Sequence, residues 1–340
     1  MKLHNGLMEN KQEPNVLIIT SEWPSEEHPN AVPFLTQHVK YLIEEGVNVD
    51  VFHFRGKRNP INYLLAWFQV RQTNAWKKAN ILHAHWGQSG LITLFSEKKK
   101  VVTFHGSDLH GILNGNHVQS LQGKILISIS KFIAGMVDCA IVVSNELGKR
   151  LVGKNKDVRV IPMGVDPDLF RPMAREECRD RLNLDKNKKI ILFLSNPDRP
   201  EKQYWLAEKA ANELKLKRPE WDIELLPVFK VSHRTVPLFI NAANVLLLTS
   251  NYEGAPTVIK ETIACNVPIV STDVGDVRAK IEGIDGCFVC TNHDVFCLTA
   301  GLEKAIEHAG KTHPSPDLLA SLDERQNVRR VKKIYYELLS

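Results

Sequence analysis

The sequence predicts an α/β protein made of two doubly wound parallel sheets, and three observations carry that prediction. Short apolar, β-branched segments alternate with helical patterns, which is typical of right-handed βαβ units. The alternation occurs twice, and the breaker-rich segment 161–167 (IPMGVDP) separates the two halves. The length of 340 residues suits two domains of about 150 residues each.

The first half reads as strands and helices in turn. Asn15–Thr20 is an apolar run of buried-strand type, and helical spacing then continues from Val32 to Ile43 and ends at Gly46. Further strands are predicted at 47–54, Ile81–His85, 101–105, 139–143 and 158–161, with helices at 61–76, from Gly90, and at Leu121–Met136.

The second half repeats this rhythm and ends in a long helical pattern at 317–339, after two prolines. Its strands are predicted at 190–194, 223–228, Val245–Leu248, 267–270 and 287–289, with helices at 202–216 and Thr257–Ala264. In such sheets ligands bind at the carboxyl ends of the strands, and a cleft between two domains is the expected site.

Composition excludes several classes of protein. No apolar run reaches the roughly 18 residues that span a bilayer, and the polar segment 1–14 lacks the apolar core of a signal peptide. We therefore expect a cytosolic protein whose six cysteines are reduced. The net charge of +5 does not by itself predict nucleic-acid binding.

Absent motifs narrow the choice further. No glycine occurs from Asn15 to Glu45, so the dinucleotide-binding pattern GxGxxG is missing after the first strand. This argues against an NAD-dependent dehydrogenase. Neither a Walker A loop nor a GxSxG nucleophile elbow is present.

The segment 253–261 (EGAPTVIKE) opens a predicted helix after a buried strand. Pro256 suits the first helical turn because its missing N–H costs nothing there, and Gly254 lets a ligand approach the backbone. The first-turn amides form an anion-binding site. Glu253 and Glu261 flank that site and could hold hydroxyls on both sides of a diphosphate, as in a nucleotide sugar. The alternative is one glutamate that favours the helix dipole and one exposed on a surface helix.

Cations follow another predicted strand, in the segment 195–202 (SNPDRPEK). Arg199 and Lys202 are three residues apart in a strand-to-helix loop, so both could neutralise a diphosphate leaving group. The alternative is two solvated surface cations.

Histidines end two strands of the first half. His105 in the segment HGSD lies at a carboxyl edge, where reactive groups belong, or else it is a buried histidine that caps the strand. His83 and His85 share one strand face, and with Asp108 and His110 they could complete a metal site. No second cluster follows, so we expect no metal. We expect buried reduced thiols, and no zinc site, at Cys287, Cys290 and Cys297.

Together these motifs resemble the family-4 retaining glycosyltransferases with the GT-B fold, over nearly the whole chain. These motifs are most similar to those of bacterial cell-surface polysaccharide enzymes, including the teichuronic-acid type. The resemblance rests on EGAPTVIKE (253–261) with ACNVPIVSTDVGD (264–276), LFLSNPDRPEK (192–202), VTFHGSD (102–108), VSNEL (143–147) and VIPMGVDPDLFRP (160–172).

The resemblance implies two Rossmann-like domains facing a central cleft. Residues 1–165 would form the acceptor-side domain and 166–316 the nucleotide-sugar-binding domain, while the helix 317–340 would cross back to the first domain. Two departures stand out: no glycine pair follows the first strand, and Ser195-Asn196 replaces a common Gly-Arg pair.

The resemblance also implies roles for particular residues. Glu253 would contact the donor sugar, Glu261 the ribose, and Arg199 with Lys202 the diphosphate, while His105 would lie near the reacting centre. Further donor-binding residues would be Ser195, Gly254, Ala255, Pro256, Thr257 and Val258. His85 and Asp108 would lie on the acceptor side. The resemblance implies no metal or other cofactor, because members of the family with this fold generally need no metal. It also implies that no side chain needs to act as a strong base, because the departing phosphate would help to deprotonate the acceptor.

The expected function is transfer of a sugar from a nucleotide-diphosphate sugar, with UDP-sugar preferred, to a glycan or lipid-linked acceptor in cell-surface polysaccharide biosynthesis. The alternatives are a GT-B-fold sugar-nucleotide epimerase, a non-catalytic sugar-nucleotide binder and a metal hydrolase that uses His83, His85 and His105.

Charge and aromatic residues add a possible partner. Residues 1–165 carry 19 Lys and Arg against 13 Asp and Glu, whereas 166–340 carry 25 against 26. The segment 61–68 (INYLLAWF) adds apolar surface near the cations Arg55, Lys57 and Arg58. Contact with the anionic inner face of the cytoplasmic membrane is therefore expected. The alternative is a solvated basic face and a buried helix.

Overall fold

The computed structural model describes residues 12–26, 31–56, 59–111, 120–308 and 311–340. The chain forms two compact units, the first comprising Met1–Pro162 and Arg325–Ser340 and the second Met163–Glu324. The predicted divisions at 165/166 and 316/317 differ from these positions by three and by eight residues, so that residues 317–324 lie in the second unit.

Strands alternate with helices throughout, as the sequence predicts. The strands are β1 (Asn15–Thr20), β2 (Asn48–His53), β3 (Ile81–His85), β4 (Lys99–Phe104), β5 (Cys139–Val142), β6 (Val158–Val160), β7 (Lys189–Phe193), β8 (Ile223–Pro227), β9 (Val245–Leu248), β10 (Ile269–Thr272) and β11 (Phe288–Cys290).

Most of the helices lie between those strands, and the last three follow β11. They are α1 (Pro33–Glu44), α2 (Pro60–Gln72), α3 (Asn74–Lys78), α4 (Ser107–His110), α5 (Leu121–Met136), α6 (Asn145–Arg150), α7 (Arg175–Leu182), α8 (Tyr204–Lys217), α9 (Val236–Ala242), α10 (Thr257–Ala264), α11 (Val277–Ile281), α12 (Val295–Glu307), α13 (Pro316–Leu322) and α14 (Glu324–Leu339). Short 3₁₀ helices occupy Gly87–Thr93, Pro200–Lys202 and His233–Thr235. Among the described residues, no helix is both apolar enough and long enough to cross a lipid bilayer.

Both sheets are parallel and doubly wound, which confirms the predicted fold class. Over the described residues, the first unit has a six-stranded sheet in the order β2-β1-β3-β4-β5-β6, and the second a five-stranded sheet in the order β11-β10-β9-β7-β8. In each sheet the winding reverses once, between β1 and β3 or between β7 and β9. Such a reversal opens a crevice at the carboxyl ends of the two strands.

The core of the first unit depends on α14. Apolar residues of β1 and α1 pack with Val328, Val331, Ile334 and Tyr335 of α14 in one buried cluster. Because this helix supplies part of the core, residues 325–340 belong to the first unit.

Two long helical predictions are interrupted. The pattern 61–76 divides at Thr73, whose Oγ1 donates to the carbonyl of Val70 and accepts from the amide of Trp76, so that it ends α2 and caps α3. The pattern 317–339 divides at Asp323, which pairs with Val165 in an isolated parallel bridge. The prediction of one continuous C-terminal helix was therefore wrong.

That bridge brings two chain segments of the second unit together around Gly164. The Val165 amide donates to the Leu322 carbonyl at 2.8 Å, and the Glu324 amide donates to the Val165 carbonyl at 3.1 Å. The Gly164 amide donates to the Glu324 carboxylate at 2.5 Å. Nearby, the buried Lys260 donates to the carbonyl of Met163 at 3.0 Å. These bonds explain why the second unit begins at 163 and extends to 324.

One prediction about cysteine was wrong. Cys290 and Cys297 form a disulfide, with Cα atoms 5.9 Å apart. Asp294 accepts from the amides of Phe296 and Cys297 as the cap of α12, and this turn folds Cys297 back toward the end of β11. Cys139, Cys178 and Cys265 are buried free thiols, and Cys287 is a half-buried one.

Candidate functional site

The second unit concentrates its candidate residues where the winding of its sheet reverses. Loops 194–203 and 249–256 follow β7 and β9, the two strands on either side of the reversal. Lys202 and Glu253 are 51 positions apart in the sequence, and both were predicted to bind the same ligand. They meet at this point, where Lys202 Nζ lies 2.5 Å from Glu253 Oε1. Both side chains are only 17% exposed.

A third side chain fixes the carboxylate. The hydroxyl of Ser250 donates to the same oxygen, Glu253 Oε1, at 2.8 Å. Glu253 is therefore held by one cation and one hydroxyl. Ser250 was not among the predicted site residues, although its place at the carboxyl end of β9 could have indicated it.

Backbone contacts join the two loops. Thr249 Oγ1 donates to the Lys202 carbonyl at 2.9 Å, and the Asn251 amide donates to the Glu201 carbonyl at 2.8 Å. Thr272 at the end of β10 donates to the Ser250 carbonyl at 2.8 Å. The site is thus built on three adjacent strands, so its loops have little conformational freedom before any ligand binds.

The turn before α10 has room on its outer side. Pro256 occupies the cap position preceding the helix, one residue earlier than predicted, and Thr257 and Val258 begin the first turn. Gly254 is exposed, and a Cβ there would meet nothing within 4 Å, as would suit close approach of a ligand. Half-buried Ala255 completes the turn.

A second glycine supports this turn from behind. Gly275 has a φ of +57°, and a Cβ on it would overlap the carbonyl of Gly254 and lie 3.0 Å from the carbonyl oxygen of Glu253. The β10–α11 loop therefore packs directly against the backbone that carries Glu253.

Arg199 and Ser195 lie in the loop that follows β7. Arg199 is exposed, and its Nε donates to the Glu201 carboxylate at 2.7 Å, so it is ion-paired with Glu201 and not with Glu253. Ser195 is half-buried, and its amide donates to the Phe193 carbonyl at 3.1 Å. The structure thus brings Lys202 to Glu253 directly, whereas Arg199 lies at the exposed edge of the loop.

Glu261 is a buried residue of α10 and has a histidine partner. Its side chain is 7% exposed, so it is not on the helix surface, and its Oε1 lies 2.8 Å from His233 Nε2. Lys260 beside it is also buried, and desolvation lowers the pKa of its ammonium group. His233 was missed by the sequence analysis; its position in the loop after β8 is the one signal that could have indicated it.

In the first unit, His105 is surrounded by rings. It follows β4, is half-buried, and its ring centroid lies 4.8 Å from that of Trp86 and 5.2 Å from those of Phe34 and His85. Trp86 has a φ of +69°, which is unusual for a bulky residue. Strained backbone is common at functional sites, so the conformation of Trp86 supports a functional role for the residues around His105.

Behind His105 lies a row of buried histidines. His85 Nδ1 is 3.0 Å from His105 Nε2, and His83 lies between Tyr335 Oη (2.6 Å from Nδ1) and Thr103 Oγ1 (2.8 Å from Nε2). Burial, aided by the neighbouring histidines, lowers the pKa of both His83 and His85 well below the ordinary value. These rings are therefore neutral at physiological pH.

Asp108 joins the loops that follow β3 and β4. Its buried carboxylate accepts from the amides of Gly87 (3.1 Å), His105 (3.2 Å) and Gly106 (2.9 Å). Burial raises the pKa of this carboxyl, while the three amides oppose the shift. Asp108 thus fixes the backbone of His105 and does not contact its ring in these bonds.

The described histidines are not arranged as a metal centre. Both ring nitrogens of His83 are engaged with hydroxyl groups, and His110 lies 3.8 Å from Glu146. Across residues 12–26, 31–56, 59–111, 120–308 and 311–340, no group of three or more His, Cys, Asp or Glu side chains is arranged to hold a metal ion.

Two family models match most of the chain. Residues 3–169 match the model of Glycosyltransferase Family 4, and residues 227–308 match that of Glycosyl transferases group 1. The second match contains Glu253, Glu261 and His233, and the first contains His105.

Individual relatives are more distant. The chain is 26% identical over 222 residues, or 59% of its length, to the putative teichuronic acid biosynthesis glycosyltransferase TuaC of Bacillus subtilis. The chain spans about half the length of that relative (54%).

Solved structures resemble nearly the whole chain. Sucrose-phosphate synthase from Thermosynechococcus elongatus has a TM-score of 0.66 at 18% identity, covering 96% of this chain and 95% of that one. HepE from Anabaena, in complex with UDP-glucose, has a TM-score of 0.59 at 16% identity, covering 95% of both chains. At these identities the likeness shows the fold.

Proposed function

Because the chain belongs to the glycosyltransferases with the GT-B fold, we propose that it is a retaining enzyme that uses a nucleotide-diphosphate sugar. The acceptor is a hydroxyl group of a glycan or a lipid-linked glycan in cell-surface polysaccharide biosynthesis. One observation carries this proposal: the partly buried Lys202–Glu253 pair lies where the sheet reverses, beside the N-terminus of α10.

In this proposal, different residues of the second unit bind different parts of the donor. Lys202 and the first-turn amides at Thr257 and Val258 bind the diphosphate, and Arg199 turns from Glu201 toward its outer oxygens. Glu253, held by Ser250, accepts hydrogen bonds from hydroxyls of the sugar. Glu261 accepts from the ribose, one helical turn further along α10.

The leaving diphosphate is the group that the site stabilises. As the glycosidic bond breaks, negative charge grows on the phosphate oxygen, and the Lys202 cation stabilises it in a partly desolvated site. The same oxygen takes the proton of the acceptor hydroxyl while the acceptor attacks from the face the diphosphate leaves. In this scheme no side chain needs to act as a strong base, and no metal or other cofactor is required.

UDP-sugar is the preferred donor. HepE, which shares the fold, is complexed with UDP-glucose, and the name of TuaC places that relative in teichuronic acid biosynthesis.

In this proposal His105, in the first unit, lies near the reacting centre, and Asp108 and His85 hold it on the acceptor side.

A thermal-shift screen against UDP-, GDP- and ADP-sugars tests the donor. We expect stabilisation by a UDP-sugar, and loss of that stabilisation in Lys202→Ala. Incubation of the stabilising donor without acceptor then separates the alternatives: conversion to an epimer indicates a sugar-nucleotide epimerase. No conversion with any glycan or lipid-linked acceptor indicates a non-catalytic binder.

An anionic membrane is proposed as the location of the acceptor, and α2 and α5 favour it. Both helices pack on the 3₁₀ helix Gly87–Thr93, and neither contains an Asp or Glu. Each leaves four large apolar side chains half or more exposed. They are Ile61, Leu64, Leu65 and Phe68 on α2, and Leu121, Ile125, Phe132 and Met136 on α5.

In the segment 61–68 these four residues are exposed, whereas Ala66 is buried and the other three are half-buried. Lys124 adds an exposed cation on α5. The predicted cations Lys57 and Arg58 lie outside the described residues. Apolar side chains with cations and no acids suit the interface of an anionic bilayer.

Vesicle flotation tests this contact. We expect binding to vesicles containing phosphatidylglycerol that persists in 0.5 M salt, because apolar insertion is not screened. Phe68→Glu should abolish it, whereas Leu216→Glu, which changes an exposed leucine of the second unit, should not. Equal binding of wild type and Phe68→Glu would contradict the proposal.

A further inference from the structure

The contact between His233 and Glu261 has a role that the proposed function leaves open. Glu261 Oε1 lies 2.8 Å from His233 Nε2, and the two residues are 28 positions apart. The carboxylate is 7% exposed, whereas the imidazole is 31% exposed. The pair therefore joins the buried carboxylate of Glu261 to an imidazole ring that reaches the surface of the unit.

The helix directs the carboxylate toward the donor end of the site. Glu261 is the fifth residue of α10, which begins at Thr257. Helical side chains tilt toward the N-terminus of their helix and cover the preceding turn. The carboxylate thus leans toward Thr257 and Val258, the turn to which the diphosphate is assigned.

His233 is itself held in place. It begins a 3₁₀ turn in which Thr235 Oγ1 donates to the Ser232 carbonyl at 2.8 Å. Its ring also packs against Phe170, with centroids 5.2 Å apart. A ring held by a turn and by an aromatic neighbour can fix the side chain that it contacts.

Fixing one oxygen leaves the carboxylate able to bind a ligand. An ionised carboxylate has two oxygens with about four acceptor positions, and His233 uses one of them. A vicinal diol needs two acceptor positions at a fixed spacing. Holding Glu261 in one rotamer before binding reduces the entropy that would be lost when a diol is bound.

We propose that His233 is a positioning residue, which orients Glu261 toward the ribose diol of the donor and so sets the preference for ribose over 2′-deoxyribose. This inference rests on the proposed function, because it takes the ribose contact of Glu261 from it. Neither residue takes part in the bond changes of the transfer.

Nucleotide titration calorimetry tests this role. UDP, GDP and ADP are titrated into the wild type, and the tightest binder is compared with its 2′-deoxy form. We expect the wild type to prefer the ribonucleotide by about tenfold or more, as for a lost hydrogen bond to a charged group. In His233→Ala the preference should fall to within about threefold, through weaker binding of the ribonucleotide alone.

Three further variants make the result specific. His233→Gln keeps an N–H donor on the side chain and should retain part of the preference, whereas Glu261→Gln should lose it. His313→Ala, which removes an exposed histidine of the same unit, should behave as the wild type. Thermal unfolding of each variant checks that it is folded.

The outcomes separate the two proposals. If wild type binds none of the three nucleotides, the proposed function fails and this inference fails with it. If wild type and His233→Ala prefer the ribonucleotide equally, or if His233→Ala loses both forms equally, His233 does not position Glu261 for the diol. The proposed donor site would stand in either of these last cases.

Discussion

Lys202 Nζ lies 2.5 Å from Glu253 Oε1, although the two residues belong to loops that follow different strands. The cation that we propose binds a diphosphate is thus already paired with the carboxylate that we propose binds a sugar. A donor would replace one half of this pair with its phosphate and the other half with its hydroxyls. The pair keeps both partly buried charges compensated until then.

Removing either partner should nearly abolish sugar transfer. We expect Lys202→Ala and Glu253→Ala each to lower kcat/KM by about a hundredfold or more, which is the usual cost of removing one group that stabilises transition-state charge. Steady-state kinetics on the identified donor measures this. The control is Lys188→Ala, which breaks the half-exposed pair with Glu224 and should leave turnover unchanged. Substantial activity in Lys202→Ala or Glu253→Ala would refute the site.

Gly254 lies in the turn before α10 and Gly275 packs against that turn, so substitutions at the two glycines should separate effects on stability from effects on donor binding. Gly254→Ala places a methyl group in open space, so the free energy of unfolding should change by less than about 0.5 kcal/mol while donor affinity falls. Gly275→Ala forces a Cβ into a left-handed conformation and against the carbonyl of Gly254, and should cost about 1–3 kcal/mol. Urea denaturation and donor titration measure the two effects. Unchanged donor affinity in Gly254→Ala would mean that no ligand approaches this backbone.

Acid should destabilise the first unit through its buried histidines. The pKa of His83 and His85 is lowered by folding, so below the ordinary value of 6.5 the unfolded chain binds protons that the folded one does not. Stability is therefore fully present above about pH 6.5 and falls as the pH drops, by up to about 1.4 kcal/mol per pH unit for each histidine.

Urea denaturation between pH 7.5 and 5.5 measures this slope. His83→Asn should lower this slope by the contribution of one histidine, up to about 1.4 kcal/mol per pH unit. His53→Asn, at an exposed position, should reproduce the wild-type slope. The explanation fails if His83→Asn and wild type lose stability equally on acidification.

Gly164 should tolerate no side chain. A Cβ there would lie 2.7 Å from the amide nitrogen of Glu324 and would overlap the carbonyl of Leu322, both of them backbone atoms that cannot swing aside. We expect Gly164→Ala to reduce the free energy of unfolding by about 1–3 kcal/mol. Gly148→Ala in α6, where a Cβ meets only side-chain methyls at 3.6 Å, should be neutral or slightly stabilising. Equal stability of the two variants would contradict this explanation.

Local sequence patterns predicted most of the architecture. The bounds of Asn15–Thr20, Ile81–His85, Val245–Leu248, Leu121–Met136 and Thr257–Ala264 agree with the structure. Each is either a short, mainly apolar strand or a helical pattern bounded by residues that break or cap it. Burial and local propensity favour the same state at these segments, so no tertiary contact has to override the pattern.

Two of the failures occurred where contacts between distant parts of the chain decide the structure. The pattern 317–339 is continuous, and only the pairing of Asp323 with Val165 interrupts it. Likewise, the sequence predicted Glu253, Glu261 and Lys202 as candidates but could not predict that His233 would contact Glu261. The order of strands decides such contacts, and periodicity does not report it.

The contact between His83 and Tyr335 has a consequence for how the chain is made. These residues are 252 positions apart, yet they meet in one core. During synthesis the sheet of the first unit emerges early but lacks α14, so its apolar face and the buried His83 wait for the helix. The second unit, continuous from 163 to 324, is translated within that interval. The first unit can therefore complete its core only after the second unit has been translated, and until then its apolar face is exposed to aggregation.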